Sequence, residues 1–184
     1  MTLMKVSEHY YLRYVFLLSL VFFLISCGSR VPIAPVDKAI VDDRLVGAWW
    51  AADSAARESI ELIIYKFSEK EYFLEMREEK QHSGQAERDT LHLRSYIVEV
   101  KNKRFINAQM IESLEPEDRR YFFFNYFLEQ NSRLLVRPLE DVGNIRIDDF
   151  KDSKSLYNFI KQQVDNDSLY GETSVFIRNN LKKP

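Results

Sequence analysis

From Leu45 onward the chain alternates apolar and polar residues with a period of two, and no other pattern constrains its fold as strongly. A strand sends successive side chains to opposite faces, so alternation marks a segment with one face buried and the other wet. The runs lie at 45–51, 59–67, 71–78, 90–100, 103–110, 119–128, 132–139 and 173–179. Between the third and fourth, the polar stretch 79–89 with Gly84 breaks the pattern and is expected to form a long exposed hairpin loop. One helix is predicted over 153–164. Asp152 or Ser153 can cap it, and Leu156, Phe159, Ile160 and Val164 share one face. Eight short sequential strands joined mostly by tight turns predict a mainly β fold, an eight-stranded antiparallel up-and-down barrel with one helix before the last strand. Closure removes exposed sheet edges. A barrel of this size is either filled by its own side chains or holds one small ligand.

The sixth run, Tyr121 to Leu128, is aromatic on both faces. Its even positions, Phe122, Phe124, Tyr126 and Leu128, are apolar but for one hydroxyl and are expected to face inward. Its odd positions, Tyr121, Phe123, Asn125 and Phe127, need a cover, which the helix supplies by laying Leu156, Phe159 and Ile160 on the outside of the sheet. If the inner aromatics leave a cavity, Phe122, Phe124 and Tyr126 would line it and Asn107 and Gln109 would orient an apolar or amphipathic molecule. Tyr65, Tyr72 and Tyr96 would then rim its mouth, since tyrosines place their hydroxyls at wet edges.

The first residues carry a different signal. Lys5 and Arg13 precede an uncharged run from Val15 to Ile25, about half the roughly 20 residues a spanning helix needs and the length of a signal-peptide core. Cys27, the single cysteine, closes Leu24-Ile25-Ser26-Cys27 and is followed by Gly28-Ser29. This pattern resembles the bacterial lipobox, whose cysteine receives a diacylglyceryl thioether and an N-acyl chain such as palmitate, and becomes the new N-terminus. The resemblance implies a signal peptide over 1–26, lipidation of Cys27, and a membrane held through that anchor. Gly28 in place of Asp after the cysteine implies sorting to the outer membrane, on either face. Residues 28–43, with Pro32 and Pro35, read as an extended spacer, so the expected division is 1–26 signal, 27–43 lipidated cysteine and tether, and 44–184 barrel domain.

Leu45-Val46-Gly47-Ala48-Trp49 resembles the Gly-x-Trp opening of lipocalin strand A. In that family the glycine bends the chain, the tryptophan plugs the closed end, and a basic residue from the end of the chain packs over it. Here Arg178 of the eighth run is the matching position, so Gly47, Trp49 and Arg178 are the implied barrel closure. The stretches Tyr65-Lys66-Phe67, Arg104-Phe105-Ile106-Asn107, Tyr121-Phe122-Phe123-Phe124 and Phe150 with Asp152-Ser153 extend the resemblance, over about 45–179, to small uncharacterised lipocalin-like lipoproteins of Gram-negative bacteria. The helix precedes the last strand here instead of following it, and no Thr-Asp-Tyr motif is present.

Catalytic chemistry has little to build on. Beyond residue 26 the histidines are His82, in the polar stretch, and His92, read as an outward strand residue; neither has metal-ligand spacing. Glu115, Glu117 and Asp118 flank Pro116 as a solvated turn, and no nucleophile elbow or phosphate loop occurs. Lys and Arg total 26 against 28 Asp and Glu, both scattered, which excludes a nucleic-acid footprint. The expectation is a non-enzymatic envelope lipoprotein without cofactor or metal. Either it binds a small hydrophobic ligand inside the barrel, or it is an interaction module with a filled core and an envelope protein as partner.

Overall fold

The computed structural model describes residues 28–53, 58–82, 85–111 and 119–179. The signal segment, Cys27 and the turn with Glu115, Glu117 and Asp118 lie outside the described residues. Within them, eight strands run β1 (Gly47–Asp53), β2 (Glu58–Lys66), β3 (Tyr72–His82), β4 (Gln85–Val100), β5 (Lys103–Met110), β6 (Tyr121–Glu129), β7 (Arg133–Pro138) and β8 (Ser174–Arg178). Each pairs antiparallel with the next, and β8 pairs back onto β1, giving a closed up-and-down barrel. The helix, α1 (Ser153–Gln163), lies in the long connection before β8.

The turns at one end explain the regular meander. Lys101 and Asn102 both take positive φ, as do Gln130 and Asn131, which is the backbone of turns whose twist suits a tight hairpin. Asparagine tolerates that left-handed region better than most residues. At the other end the β3–β4 ladder continues to His82↔Gln85, so residues 79–82 and 85–89 are paired strand instead of the expected loop. The exposed cross-strand pair Glu79 and Arg88, 3.1 Å apart, belongs to this extension. Periodicity fails there because alternation records burial of one face, and this stretch of the sequence is polar at nearly every position.

The core has two layers. Inside the barrel, Trp49, Ile64, Tyr72, Ile97, Tyr126, Leu134 and Phe176 are buried together. Outside β4, β5 and β6, a second layer joins Tyr96, Val98, Phe105 and Phe123 to Leu156, Phe159, Ile160 and Val164 of the helical segment. Asp152 starts the helix by accepting from the Ser155 N–H at 2.8 Å. Lys103 Nζ donates to the Val164 carbonyl at 2.5 Å, a cation on the negative end of the helix. Tyr170 donates to the same carbonyl, and burial pushes its hydroxyl up to about 12. Strand β6 divides as its alternation implies, with Phe124, Tyr126 and Leu128 inward and Tyr121 and Phe123 under cover. Phe127 departs from the expectation: the cover stops short of it and it is 62% exposed.

Residues 29–42 correct the reading of a free spacer. They form a strap laid across the outside of the barrel. Ser29 bridges Tyr121 through two backbone hydrogen bonds, 2.9 and 2.8 Å. The Ile33 N–H donates to Asn107 Oδ1 at 2.9 Å, Tyr96 donates to the Ala34 carbonyl at 2.8 Å, and Ile40 bridges Ile97. The two bridges occupy backbone that β6 and β4 do not pair within the barrel, Tyr121 lying before the first β7 partner and Ile97 beyond the last β3 partner. Prolines suit such a strap as well as a tether, since both are extended. Ile33 is fully buried, so Ile33→Ala is expected to destabilise the domain by about 2–4 kcal/mol, read as a lower urea midpoint. A free tether would show no change.

Candidate functional site

One end of the barrel is sealed by charge and aromatic packing. Gly47 opens β1 with φ +137, a conformation that side-chain-bearing residues rarely adopt, and an added Cβ would sit 2.8 Å from Arg178 Nη1. That space lets Arg178 reach across the β1–β8 seam. Its guanidinium lies 4.1 Å from the Trp49 ring centroid, donates through Nε to the Asn131 carbonyl at 2.8 Å and through Nη1 to the Val46 carbonyl at 3.0 Å, and also bonds the Arg44 carbonyl. Burial lowers its pKa, and the carbonyls and the indole face replace the lost water around the cation. The Trp49 Nε1–H donates to the Leu45 carbonyl at 2.8 Å, completing the plug.

Beside it, Asp42 is the buried hub of the strap's end. Arg44 grips it with two bonds of 2.7 Å, Arg104 Nη1 donates at 2.5 Å, and Tyr126 donates at 3.1 Å, while the Asp42 N–H donates to the Tyr72 hydroxyl at 2.8 Å. Burial alone would raise the Asp42 pKa; the hydrogen bonds and charges of Arg44, then Tyr126 and Arg104, outweigh it and hold the carboxyl below its usual value. Burial raises the Tyr126 hydroxyl in turn, so it stays a donor.

At the opposite end the inward-facing residues are only partly buried. Ile60, Met76, Leu91, Met110, Phe124 and Val136 are partly buried, whereas their inward-facing neighbours Leu62, Leu74, Leu93 and Ile106 are buried. The inward wall at this end is apolar and, among the described residues, less completely buried than around the plug. Two methionines on this wall are flexible and polarisable, suited to an irregular apolar guest. Phe122 faces the same side as Phe124 by strand alternation and sits half-buried at the rim, where its ring would lie 3.3 Å from a Cβ on Gly28.

A second feature is an apolar stripe on the outer wall away from the helix. Trp50 pairs with Ile177, Val175 with Leu135, and Leu135 with Phe127, so these side chains share one face across β1, β8, β7 and β6. Ile177 is 49% exposed, Trp50 39% and Val175 37%.

Several expected ligand contacts lie elsewhere. Asn107 and Gln109 point outward, alternating with inward Ile106, Ala108 and Met110; Asn107 holds down the strap and orients no guest. Tyr126 belongs to the closed end. The three tyrosines expected at the mouth are also dispersed: Tyr72 is inside the closed end, Tyr96 is under the strap, and Tyr65 packs on Phe73 with ring centroids 6.2 Å apart. Of the five expected ligand contacts, Phe122 and Phe124 are the ones at the end opposite the plug. His92 stacks on Phe73 at 5.4 Å, and no group of three metal-ligating side chains occurs among the described residues. Asp42 was hidden in a segment read as linker. The polar residues at odd positions of β5 were a legible sign that Asn107 and Gln109 face out.

Comparisons with protein-family models, curated proteins and solved structures find no match.

Because Asp42 titrates below its unfolded value, its stabilising effect is present above about pH 4 and is lost as pH falls through the lower folded value. The urea midpoint is expected to be level between neutral pH and about 5, then to drop below about pH 4. Asp42→Asn should lower the midpoint at neutral pH and weaken the acid loss. Arg178→Met, which keeps the aliphatic stem but loses the donors, should cost about 2 kcal/mol in the same titration.

Proposed function

We propose that this chain is a lipid-anchored protein of the bacterial envelope whose barrel takes up a small hydrophobic molecule at the end opposite the plug. The observation that carries the ligand reading is the wall of partly buried inward apolar side chains, Ile60, Met76, Leu91, Met110, Phe124 and Val136, at that end. Ligand sites are lined mostly by apolar side chains, and flexible methionines suit an irregular guest. The anchor reading rests on the lipobox-like Leu24-Ile25-Ser26-Cys27, and the outer-membrane destination on Gly28. No helix among the described residues is long and apolar enough to cross a membrane. The lipocalin-like resemblance of Gly47, Trp49 and Arg178 supports the same class of binding protein.

A second reading has its own observation. The stripe of Trp50, Ile177, Val175 and Phe127 is the kind of exposed apolar surface that marks a protein interface, and it favours a partner-binding envelope module.

The test compares native and denatured masses of the mature protein made in a Gram-negative host. A defined extra mass, released on denaturation, is expected for a carrier. Met76→Arg and Leu91→Arg should abolish the extra mass and the uptake of offered fatty acid, while Trp50→Ser should leave both intact. Apo protein that takes up no apolar molecule would remove the carrier reading. Crosslinks to a partner that are lost in Trp50→Ser would then establish the second reading.

A further inference from the structure

The strap is held at separate points and not along a continuous ladder. At its start Ser29 and Tyr121 exchange two backbone bonds, further on Asn107 and Tyr96 bond Ile33 and Ala34, and near its end Ile40 bridges Ile97. Between these points the turn Val36–Lys38 is exposed and buries no side chain. The barrel ladder is complete without them: Tyr121 pairs with Gln109, Ile97 with Ile106, and Asn107 with both Tyr96 and Phe123. Docking also leaves one polar atom unmatched, since Asn107 Nδ2 is buried and meets no acceptor among the described residues. Ordering residues 29–42 at so few points is opposed by lost chain entropy. Burial of Ile33 and the Asp42 hub have to outweigh it.

We propose that the strap is an acid-released latch: when Asp42 takes up a proton, residues 29–42 leave the outer wall as a unit while the barrel beneath stays folded. This is independent of the anchor and carrier readings. Every element packed against Asp42 presents a group to it. Arg44, in the turn that follows, binds it with two bonds of 2.7 Å; Arg104 of β5 and Tyr126 of β6 donate at 2.5 and 3.1 Å; Tyr72 of β3 accepts from its N–H at 2.8 Å. Further out, Glu99 of β4 lies 3.8 Å from Arg104, and Lys66 of β2 pairs with Asp43 at 2.7 Å. Both guanidiniums at the hub are reached by solvent and can rehydrate, whereas a neutral Asp42 no longer attracts two cations. The strap's other carboxylate, Asp37, is exposed beside Lys38, so protons act on the strap through Asp42. Release stops at Arg44, because Arg178 of the plug holds the Arg44 and Val46 carbonyls through bonds that involve no carboxylate.

The hub holds the Asp42 carboxyl below its usual value, so the docked strap favours the ionised form. In the released strap Asp42 titrates at an ordinary value of about 4. The latch is therefore at full strength above about pH 4 and weakens as pH falls through the lower docked value, by up to about tenfold per pH unit. Release bares Tyr96, Asn107 and Phe123 beside the helix. It also gives the chain between residue 28 and the barrel up to roughly 45 Å of free length.

The test follows amide hydrogen exchange of the full chain by mass spectrometry from pH 7 to pH 3, corrected for the intrinsic pH dependence of exchange. Protection of 29–42 is expected to fall by up to about tenfold per pH unit below about pH 4, while that of 58–66 and 72–80 persists. Strap and barrel losing protection together would overturn the proposal, because the hub would then belong to one cooperative unit. Undiminished strap protection at pH 3 would overturn it as well. Asp42→Asn, neutral at every pH, should have a weakly protected strap already at pH 7, no further change in acid, and a protected barrel. Full strap protection in that variant counts against the latch. Should Asp42→Asn fail to fold, Ile33→Val keeps the carboxylate and removes one buried methyl. Its strap protection should drop a few-fold at every pH with the same acid slope. Loss of that slope would mean that Ile33, not Asp42, sets the response, and the proposal would fall.

Discussion

The barrel depends on the seam between its first and last strands. Strands β1 and β8 share just two residue pairs, Trp49↔Arg178 and Trp50↔Ile177, against seven pairs between β1 and β2. A closure so short gains little from its ladder and needs another source of stability. Arg178 provides it by binding carbonyls of residues 44, 46 and 131 while stacking on Trp49, so one cation joins the chain's two ends to the β6–β7 turn. Gly47 is the local condition for that reach. The plug also fixes which end is sealed.

The strap is the second constraint, and it links the two ends. It starts beside Phe122 at the end opposite the plug, crosses the outer faces of β6, β5 and β4, and finishes in the Asp42 hub next to the plug. Together with α1 it turns one side of the barrel into a two-layer core, while the stripe of Trp50, Ile177 and Phe127 leaves the other side apolar and open. At the strap's start, packing of Gly28 against Arg120 leaves no space for a Cβ.

The strand order, the single helix and its Asp152 cap were legible because each has a local cause. Alternation follows from a sheet with one buried face, and the Leu156, Phe159, Ile160 and Val164 face follows from helical spacing. The candidate site was legible only in part. Phe122 and Phe124 were placed at the interior by their own strand's pattern. Asn107 and Gln109 were misplaced because polar residues were read as ligand contacts, when the alternation of β5 set Ile106, Ala108 and Met110 inside instead. Asp42 and Ile33 carried no local signal, since their partners are 84 and 74 residues away at Tyr126 and Asn107.

By itself, then, the sequence determined an up-and-down meander, the identity of its inward faces, and a helix placed to cover aromatic surface. Those properties depend on neighbours a few residues apart, through backbone geometry and the period of burial. Tertiary structure alone decided that residues 29–42 bind the barrel instead of hanging free, that a buried carboxylate draws in Arg44, Arg104 and Tyr126, and that Arg178 closes one end over Trp49. Each of these is a balance between distant groups. A proline-containing segment can stay extended in solution or docked, and what holds it is the burial of Ile33 together with the bridges to Tyr121 and Ile97.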